Sequence, residues 1–521
     1  MAFRLDIETR EGTVRGTRKR GVGRWCSIPY AAPPVGELRL RAPQPVTPWS
    51  GVLDATRYRN AAMQAKSDVR IGLRTMQPLS EDALTLNVTA PLRPATAPRP
   101  VMVFIHGGAY MYGSSATGLY RGRRLALKGD VVVVSMNYRL GLFGYGDFTR
   151  YSTPERPFDS NCGLRDQVAA LEWVQRNIAA FGGDPNNVTI FGQSSGAAAV
   201  VTLMATPAAK GLFHAAIAES PPADWVHGCA AADTFAAKCV ELLGATEETA
   251  AETLANCDRE QLRRAGAEAV RITMTGRPGY MPVVPTVDGS YLPIAPLAAM
   301  VAGTAHRVPL IIGTNQDEGT QFASPDGTSG EMPMSPFLID RYFADIDPQV
   351  KARVLAAYPD YPALAAAVNV GGDATFLRPV LVACEGHSAH APTYHYRYNF
   401  APKRLQRMGF GAGHGVELLA IFAAGNTLLG LTSTGIGGRR ALRRVTEQVQ
   451  SQWVSFAQHG RPLPSWPQYT SNSRRTLVFD SPTRVAHDLD RARRVAWREV
   501  AGPHEVAGFT DGFFDELEKA I

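Results

Sequence analysis

Short apolar runs recur along the chain, each ending in a Gly-rich or polar turn ahead of a helix-like stretch. Val101-Met-Val-Phe-Ile runs into His106-Gly107-Gly108, and Val131-Val-Val-Val-Ser ends at Asn137-Tyr138-Arg139. Asn187-Val-Thr-Ile-Phe runs into Gly192, and Pro309-Leu-Ile-Ile-Gly ends at Thr314-Asn315. Continuous apolar strands without in/out alternation are buried on both faces, which predicts a mostly parallel sheet covered by helices. Between two of these runs, residues 166–178 carry Val168, Leu171, Trp173, Val174 and Ile178 as a broad apolar stripe at helical spacing. Strand, helix, strand in that order predicts a βαβ unit and an α/β architecture. The Pro-rich run Arg93-Pro-Ala-Thr-Ala-Pro-Arg-Pro reads as a connector before a strand. Two Ala-rich stretches, near 221–306 and 320–390, are helical in pattern and are expected to be excursions from the sheet that form a helical cap.

With 521 residues the chain exceeds what one ordinary core needs, yet large α/β enzymes run long as one unit, and one catalytic domain over 1–521 is the expectation. The net charge of +7 is mild for this size. Arginines cluster at 439, 440, 443 and 444 and again at 491, 493, 494 and 498, but no nucleic-acid-binding module accompanies them, so they read as solvated helix faces. Six cysteines, at 26, 162, 229, 239, 257 and 384, show no CxxC spacing, and free thiols are expected. The first residues carry no apolar signal core and no apolar stretch reaches membrane-spanning length. The expected location is cytoplasmic, with neither a membrane nor nucleic acid as partner.

Candidate chemistry begins at Gly192-Gln193-Ser194-Ser195-Gly196. The strand before it and the small-residue stretch after it, Gly196-Ala-Ala-Ala-Val-Val, fit a sharp turn that projects the Ser194 hydroxyl from the sheet. Upstream, His106-Gly107-Gly108-Ala109 follows a strand, and small residues there would let a substrate carbonyl approach backbone N–H groups. A carboxylate and a histidine must then follow in chain order. Asn315-Gln316-Asp317-Glu318-Gly319 offers two carboxylates at a strand end. Gly411-Ala412-Gly413-His414-Gly415 sets a histidine between glycines ahead of a helix.

These blocks resemble the carboxylesterase type-B (cholinesterase/carboxylesterase) family of the α/β-hydrolase superfamily. The likeness runs from Gly12-Thr-Val-Arg-Gly and Ile28-Pro-Tyr-Ala-Ala-Pro-Pro-Val-Gly through Glu81-Asp82-Ala83-Leu84-Thr85-Leu86-Asn87-Val88 and Asn161-Cys-Gly-Leu-Arg-Asp-Gln. It ends at Trp466-Pro and Arg494-Val-Ala-Trp. The resemblance implies an α/β-hydrolase fold in which Ser194 is the nucleophile, Glu318 the acid and His414 the base. It also implies oxyanion donors at the N–H groups of Gly108, Ala109 and Ser195, and structural ion pairs Arg39–Glu81 and Arg139–Asp166. The family's Glu-Asp-Cys block reads Glu81-Asp82-Ala83 here, so its first disulfide is missing. Gln193 stands where cholinesterases carry Glu, and residues 64–82 hold no Trp to stack on a quaternary ammonium.

The expected activity is therefore hydrolysis of small neutral carboxylic esters, without metal or organic cofactor. Gln193, Tyr110, Trp225 and Phe410 are candidate substrate contacts. The alternatives are a carbamate, aryl-amide or thioester hydrolase using the same residues, or a non-catalytic interaction protein of this fold. The latter is opposed by the presence of Ser194, Glu318 and His414 together. His387, His390 and His395 lack a carboxylate or cysteine partner, and no metal site is expected among them.

Overall fold

The computed structural model describes residues 4–65, 77–323, 332–434, 438–500 and 502. Its apolar runs assemble into one thirteen-stranded mixed sheet. An N-terminal group holds β1 (Arg4–Glu8), β2 (Thr13–Lys19), β3 (Val22–Pro29) and β4 (Val52–Asp54). The middle of the chain supplies β5 (Thr85–Pro91), β6 (Arg99–Ile105), β7 (Val132–Met136), β8 (Gly183–Gln193) and β9 (Ala215–Glu219). The rest are β10 (Leu310–Asn315), β11 (Thr393–Tyr398), β12 (Arg475–Phe479) and β13 (Arg484–His487).

Spatially the order is β1-β2-β3-β5-β7-β6-β8-β9-β10-β11-β12-β13, with β4 beside β2. From β7 through β12 every pairing is parallel, while the β1–β3–β5–β7 side and the last strand are antiparallel, apart from β4, which runs parallel to β2. The sheet is thus parallel at its centre and mixed overall. The four apolar runs read from the sequence are β6, β7, β8 and β10. The N-terminal antiparallel side was not anticipated.

Both faces of the central strands are buried, which explains their unbroken apolar character. Along β6, Val101, Val103 and Ile105 join one core with Leu171, Trp173 and Val174 of α1 (Cys162–Asn177) and Val200 and Leu203 of α2 (Ser195–Met204). The alternate residues Met102 and Phe104 join another with Phe191, Ile217 and Ile311. That second core also holds Trp453 and Phe456 of a long C-terminal helix, Arg439–His459. Full burial of each Leu, Ile, Val or Phe contributes roughly 1.5–3 kcal/mol.

The stretch 221–306 carries helices Cys229–Leu242, Ala250–Asn256, Arg259–Gly276 and Pro296–Ala302. The stretch 320–390 carries Pro336–Tyr342, Pro348–Leu355, Leu364–Gly372 and α3 (Arg378–Ser388), with residues 324–331 outside the described set. Here the expectation needs one correction: α3 packs on β10 and β11 and is their crossover helix rather than an excursion. Its Val380 and Ala383 are buried in the main core.

Both expected ion pairs are present. Arg39 donates twice to Glu81 at 2.6 and 2.8 Å and also to the carbonyls of Ala255 and Cys257, pinning an N-terminal loop to the helical excursion. Arg139 donates to Asp166 at 2.8 and 2.7 Å with both side chains buried. All six cysteines are free.

Candidate active site

Strand β8 ends at Gln193 and α2 begins at Ser195, leaving Ser194 alone at the turn with φ 60° and ψ −131°. A non-glycine residue in that region carries strain of about 1–3 kcal/mol, which the surroundings must impose. They do so through two glycines. A Cβ on Gly192 would lie 2.4 Å from the Gly196 carbonyl oxygen, and one on Gly196 would lie 2.2 Å from that of Ile105. Strand, turn and helix therefore pass closer together than any side chain permits. The Ser194 N–H donates to the Glu219 carbonyl of β9 (2.9 Å), anchoring the turn to the sheet.

The loop after β6 lies against this turn. A Cβ on Gly107 would sit 2.5 Å from the Gln193 carbonyl oxygen and 3.0 Å from Ser194 Cβ. Gly108, Ala109 and Tyr110 all have positive φ (126°, 54° and 56°), and the Gly108 carbonyl accepts from the N–H groups of Met111 and Tyr112. The Tyr110 N–H donates to Ser195 Oγ at 3.2 Å, tying loop to turn. Among the described residues, the N–H groups of Gly108, Ala109 and Ser195 donate to no protein acceptor. His106 is a support: its ring stacks on Tyr138, and burial pushes its pKa down to about 4, so it stays neutral.

Strand β10 leads into the carboxylate-bearing loop. Glu318 opens a short 3₁₀ turn, and its Oε1 accepts from the Asn315 N–H at 2.6 Å. Its Oε2 lies 2.5 Å from His414 Nδ1, with both side chains buried. The adjacent Asp317 faces elsewhere: its carboxylate accepts from the Ala412 N–H at 2.8 Å, and its own N–H donates to the Ala412 carbonyl. Thr320 Oγ1 donates to Phe410 O and Asn315 Nδ2 to Gly413 O, so the acid loop and histidine loop are stitched together. Of the two carboxylates that the residues alone left open, Glu318 contacts His414 and Asp317 contacts the Ala412 backbone.

On its other nitrogen, His414 Nε2 lies 3.0 Å from the Gln193 side-chain amide. The ring is enclosed by Phe376 (4.5 Å between centroids) and Phe322 (5.2 Å). Phe376 sits on a π-helical turn, Asp373–Leu377, a feature that often marks functional sites. Behind the ring, Glu417 is fully buried and accepts from Asn315 Nδ2. Burial, then the nearby Glu318 charge, pushes its pKa up to about 7, with His414 pulling the other way. The sequence reading missed Phe322, Phe376 and Glu417.

Of the expected substrate contacts, Tyr110 is fully enclosed against Tyr145, Trp225 is buried in the main core and Phe410 is exposed beside the histidine loop. Gln193 contacts His414. Part of the Trp-free stretch 64–82, namely 66–76, lies outside the described residues. His387 and His395 bond to Val308 O and Thr476 Oγ1, and no metal-holding group of three or more His, Cys, Asp or Glu occurs among the described residues.

A serine on a strained strand-to-helix turn, set on a mixed sheet with helices on both faces, defines the α/β-hydrolase class. The chain belongs to the carboxylesterase family, whose model matches residues 4–497, and it is a carboxylic ester hydrolase. It is 36% identical to the para-nitrobenzyl esterase of Bacillus subtilis over 94% of this chain and 97% of that one. It is 32% identical to an acylcarnitine hydrolase of Rattus norvegicus, covering 94% and 90%. Among solved structures, a thermophilic PNB esterase superimposes with a TM-score of 0.85 at 35% identity, covering 94% of this chain and 99% of the other.

Proposed function

We propose that the protein hydrolyses small neutral carboxylic esters by two-step acyl transfer, with Ser194 as nucleophile, His414 as base and Glu318 as its orienting acid. The observation that carries this reading is the 2.5 Å contact between Glu318 Oε2 and His414 Nδ1 beside the strained Ser194 turn. A carboxylate on Nδ1 holds the proton there, makes Nε2 the basic nitrogen, and stabilises the imidazolium that forms. Ser194 Oγ attacks the ester carbonyl carbon while Nε2 takes the hydroxyl proton. The negative oxygen of the tetrahedral adduct meets the N–H groups of Gly108, Ala109 and Ser195, which need no rearrangement to receive it. The adduct collapses, the alcohol departs with the proton from Nε2, and water repeats the sequence on the acyl-enzyme to release the acid.

The neutral amide at Gln193 offers a cationic alcohol no charge, which favours uncharged esters such as the benzyl type named for the Bacillus relative. We read the chain as one catalytic domain whose helical excursions cap the site. The six free thiols support a reducing, cytoplasmic location. A fluorophosphonate probe tests the assignment: wild type labels and Ser194→Ala does not. Labelling of Ser194→Ala, or faster cleavage of octanoylcarnitine than of p-nitrobenzyl acetate, contradicts the nucleophile or the neutral-ester preference respectively.

A further inference from the structure

We propose that Gln193 is a positioning residue that occupies His414 Nε2 in the free enzyme and yields it to Ser194 only when the reaction begins. The inference rests on the Ser194–His414–Glu318 reading above. Gln193 Nε2 lies 3.0 Å from His414 Nε2, while His414 Nδ1 is engaged by Glu318. With the Nδ1 proton held by that carboxylate, Nε2 is the acceptor and the glutamine amide the donor. A neutral imidazole nitrogen has one lone pair, and base catalysis needs that lone pair for the Ser194 hydroxyl. The amide and the nucleophile therefore compete for one acceptor.

The surroundings fix the competitor in place. Gln193 is buried, and its backbone is held in register with Glu219 of β9. Gly415 has φ +78°, and a Cβ there would meet the amide nitrogen at an ordinary contact distance of 3.6 Å, so the turn after the histidine lies against the amide. Only side-chain torsions are free to release the contact. Other groups facing the ring are the Glu318 carboxylate on its far nitrogen, the Glu417 carboxylate behind it, and the uncharged rings of Phe322 and Phe376.

Two effects follow from the chemistry. The amide stabilises neutral imidazole, so removing it favours protonation of the base and moves the acid limb of kcat/KM to higher pH. It also subtracts one hydrogen bond's worth of reactivity from the serine, about 2- to 10-fold. The experiment compares wild type, Gln193→Met and Gln193→Glu by the second-order rate of inactivation with a small fluorophosphonate. The pH profile of kcat/KM on p-nitrophenyl acetate is measured alongside. Gln193→Met, close in shape but without a donor, should inactivate about 2- to 10-fold faster on the plateau and show the raised acid limb. Gln193→Glu sets a carboxylate against Nε2, favours the imidazolium, and should raise the limb further while slowing inactivation at neutral pH. An acid limb that stays put in both variants, or slower plateau inactivation of Gln193→Met, overturns the proposal. Persistent labelling of Ser194→Ala would instead overturn the reading beneath it, so the two failures are distinguishable.

Discussion

Gly107→Ala tests whether backbone approach at the turn, rather than any side chain, sets the rate. Gly107 does not have a positive φ, so the alanine adds no backbone strain, only a methyl group. That methyl would lie 2.5 Å from the Gln193 carbonyl oxygen and 3.0 Å from Ser194 Cβ. Both neighbours are held by β8 and α2, so the loop carrying Gly108 and Ala109 must retreat, by roughly 0.5–1 Å before ordinary contact is restored. A shift of that size misaims two of the three proposed oxyanion donors. Losing one such donor costs about 10²–10³ in kcat, and a misplacement near 1 Å costs a comparable factor. The donors act on charge that exists only in the transition state, so kcat and kcat/KM should fall together with KM nearly unchanged. Overpacking should cost about 1–3 kcal/mol of stability, a drop of a few degrees in melting temperature. Gly118→Ala is the control, since a Cβ there meets nothing within 4 Å and its φ is not positive. Steady-state kinetics on p-nitrophenyl butyrate with thermal melts decides it. A Gly107→Ala enzyme that keeps more than about a third of wild-type kcat, or is indistinguishable from Gly118→Ala, would show that backbone approach at the turn does not set the rate.

Glu318→Gln should lower kcat by about 10²–10⁴, whereas Asp317→Asn should lower it less than about tenfold; the reverse ranking would move the acid to Asp317. Arg139→Met leaves Asp166 buried without its partner and should cost about 3–5 kcal/mol in denaturant unfolding, with Asp166→Leu in the same chain recovering most of it. A loss below about 1 kcal/mol for the single variant would show that the pair is not structural. Glu417 has a pKa raised to about 7 in the folded chain against an ordinary 4.5, so the folded state holds a proton the unfolded state releases between those values. Its penalty is absent below about pH 4.5, grows as pH rises, and is complete above about pH 7, amounting to about 3 kcal/mol. Glu417→Gln should therefore stabilise relative to wild type at pH 8 and hardly at all at pH 4.5, and equal differences at both pH values would refute this.

What was legible in the residues tracks how each part is stabilised. The central strands declared themselves because burial on both faces demands unbroken apolar runs, as in Val101–Ile105 and Val131–Val134. Strand β1 alternates charged and apolar residues and β2 carries a single apolar side chain, Val14, a weaker contrast than the central runs give. Chain order and the family likeness located Ser194, Glu318 and His414. Choosing between Asp317 and Glu318 from the residues alone was beyond reach, because neighbours on one loop differ only in how that loop turns. The Phe376 wall depends on a π turn inside a helical stretch, and Glu417 on burial behind the site. Neither leaves a pattern in composition or spacing. Gln193 was visible as a departure from the cholinesterases, but only its 3.0 Å contact gives that departure a physical meaning.

The stitching of the histidine loop to the acid loop has a consequence for how the chain is born. About 220 residues separate Ser194 from His414, and strand β12 follows later still. At roughly 5–20 residues per second of synthesis, some 10–40 s pass between the appearance of the nucleophile and that of its base. On the proposed reading, Ser194 lacks its base throughout that interval, so a nascent or truncated chain should not hydrolyse esters by this route. Esterase activity in a translation mixture is thus a timer for completion of the C-terminal third, and it should lag the appearance of labelled chains past Ser194 by at least that interval.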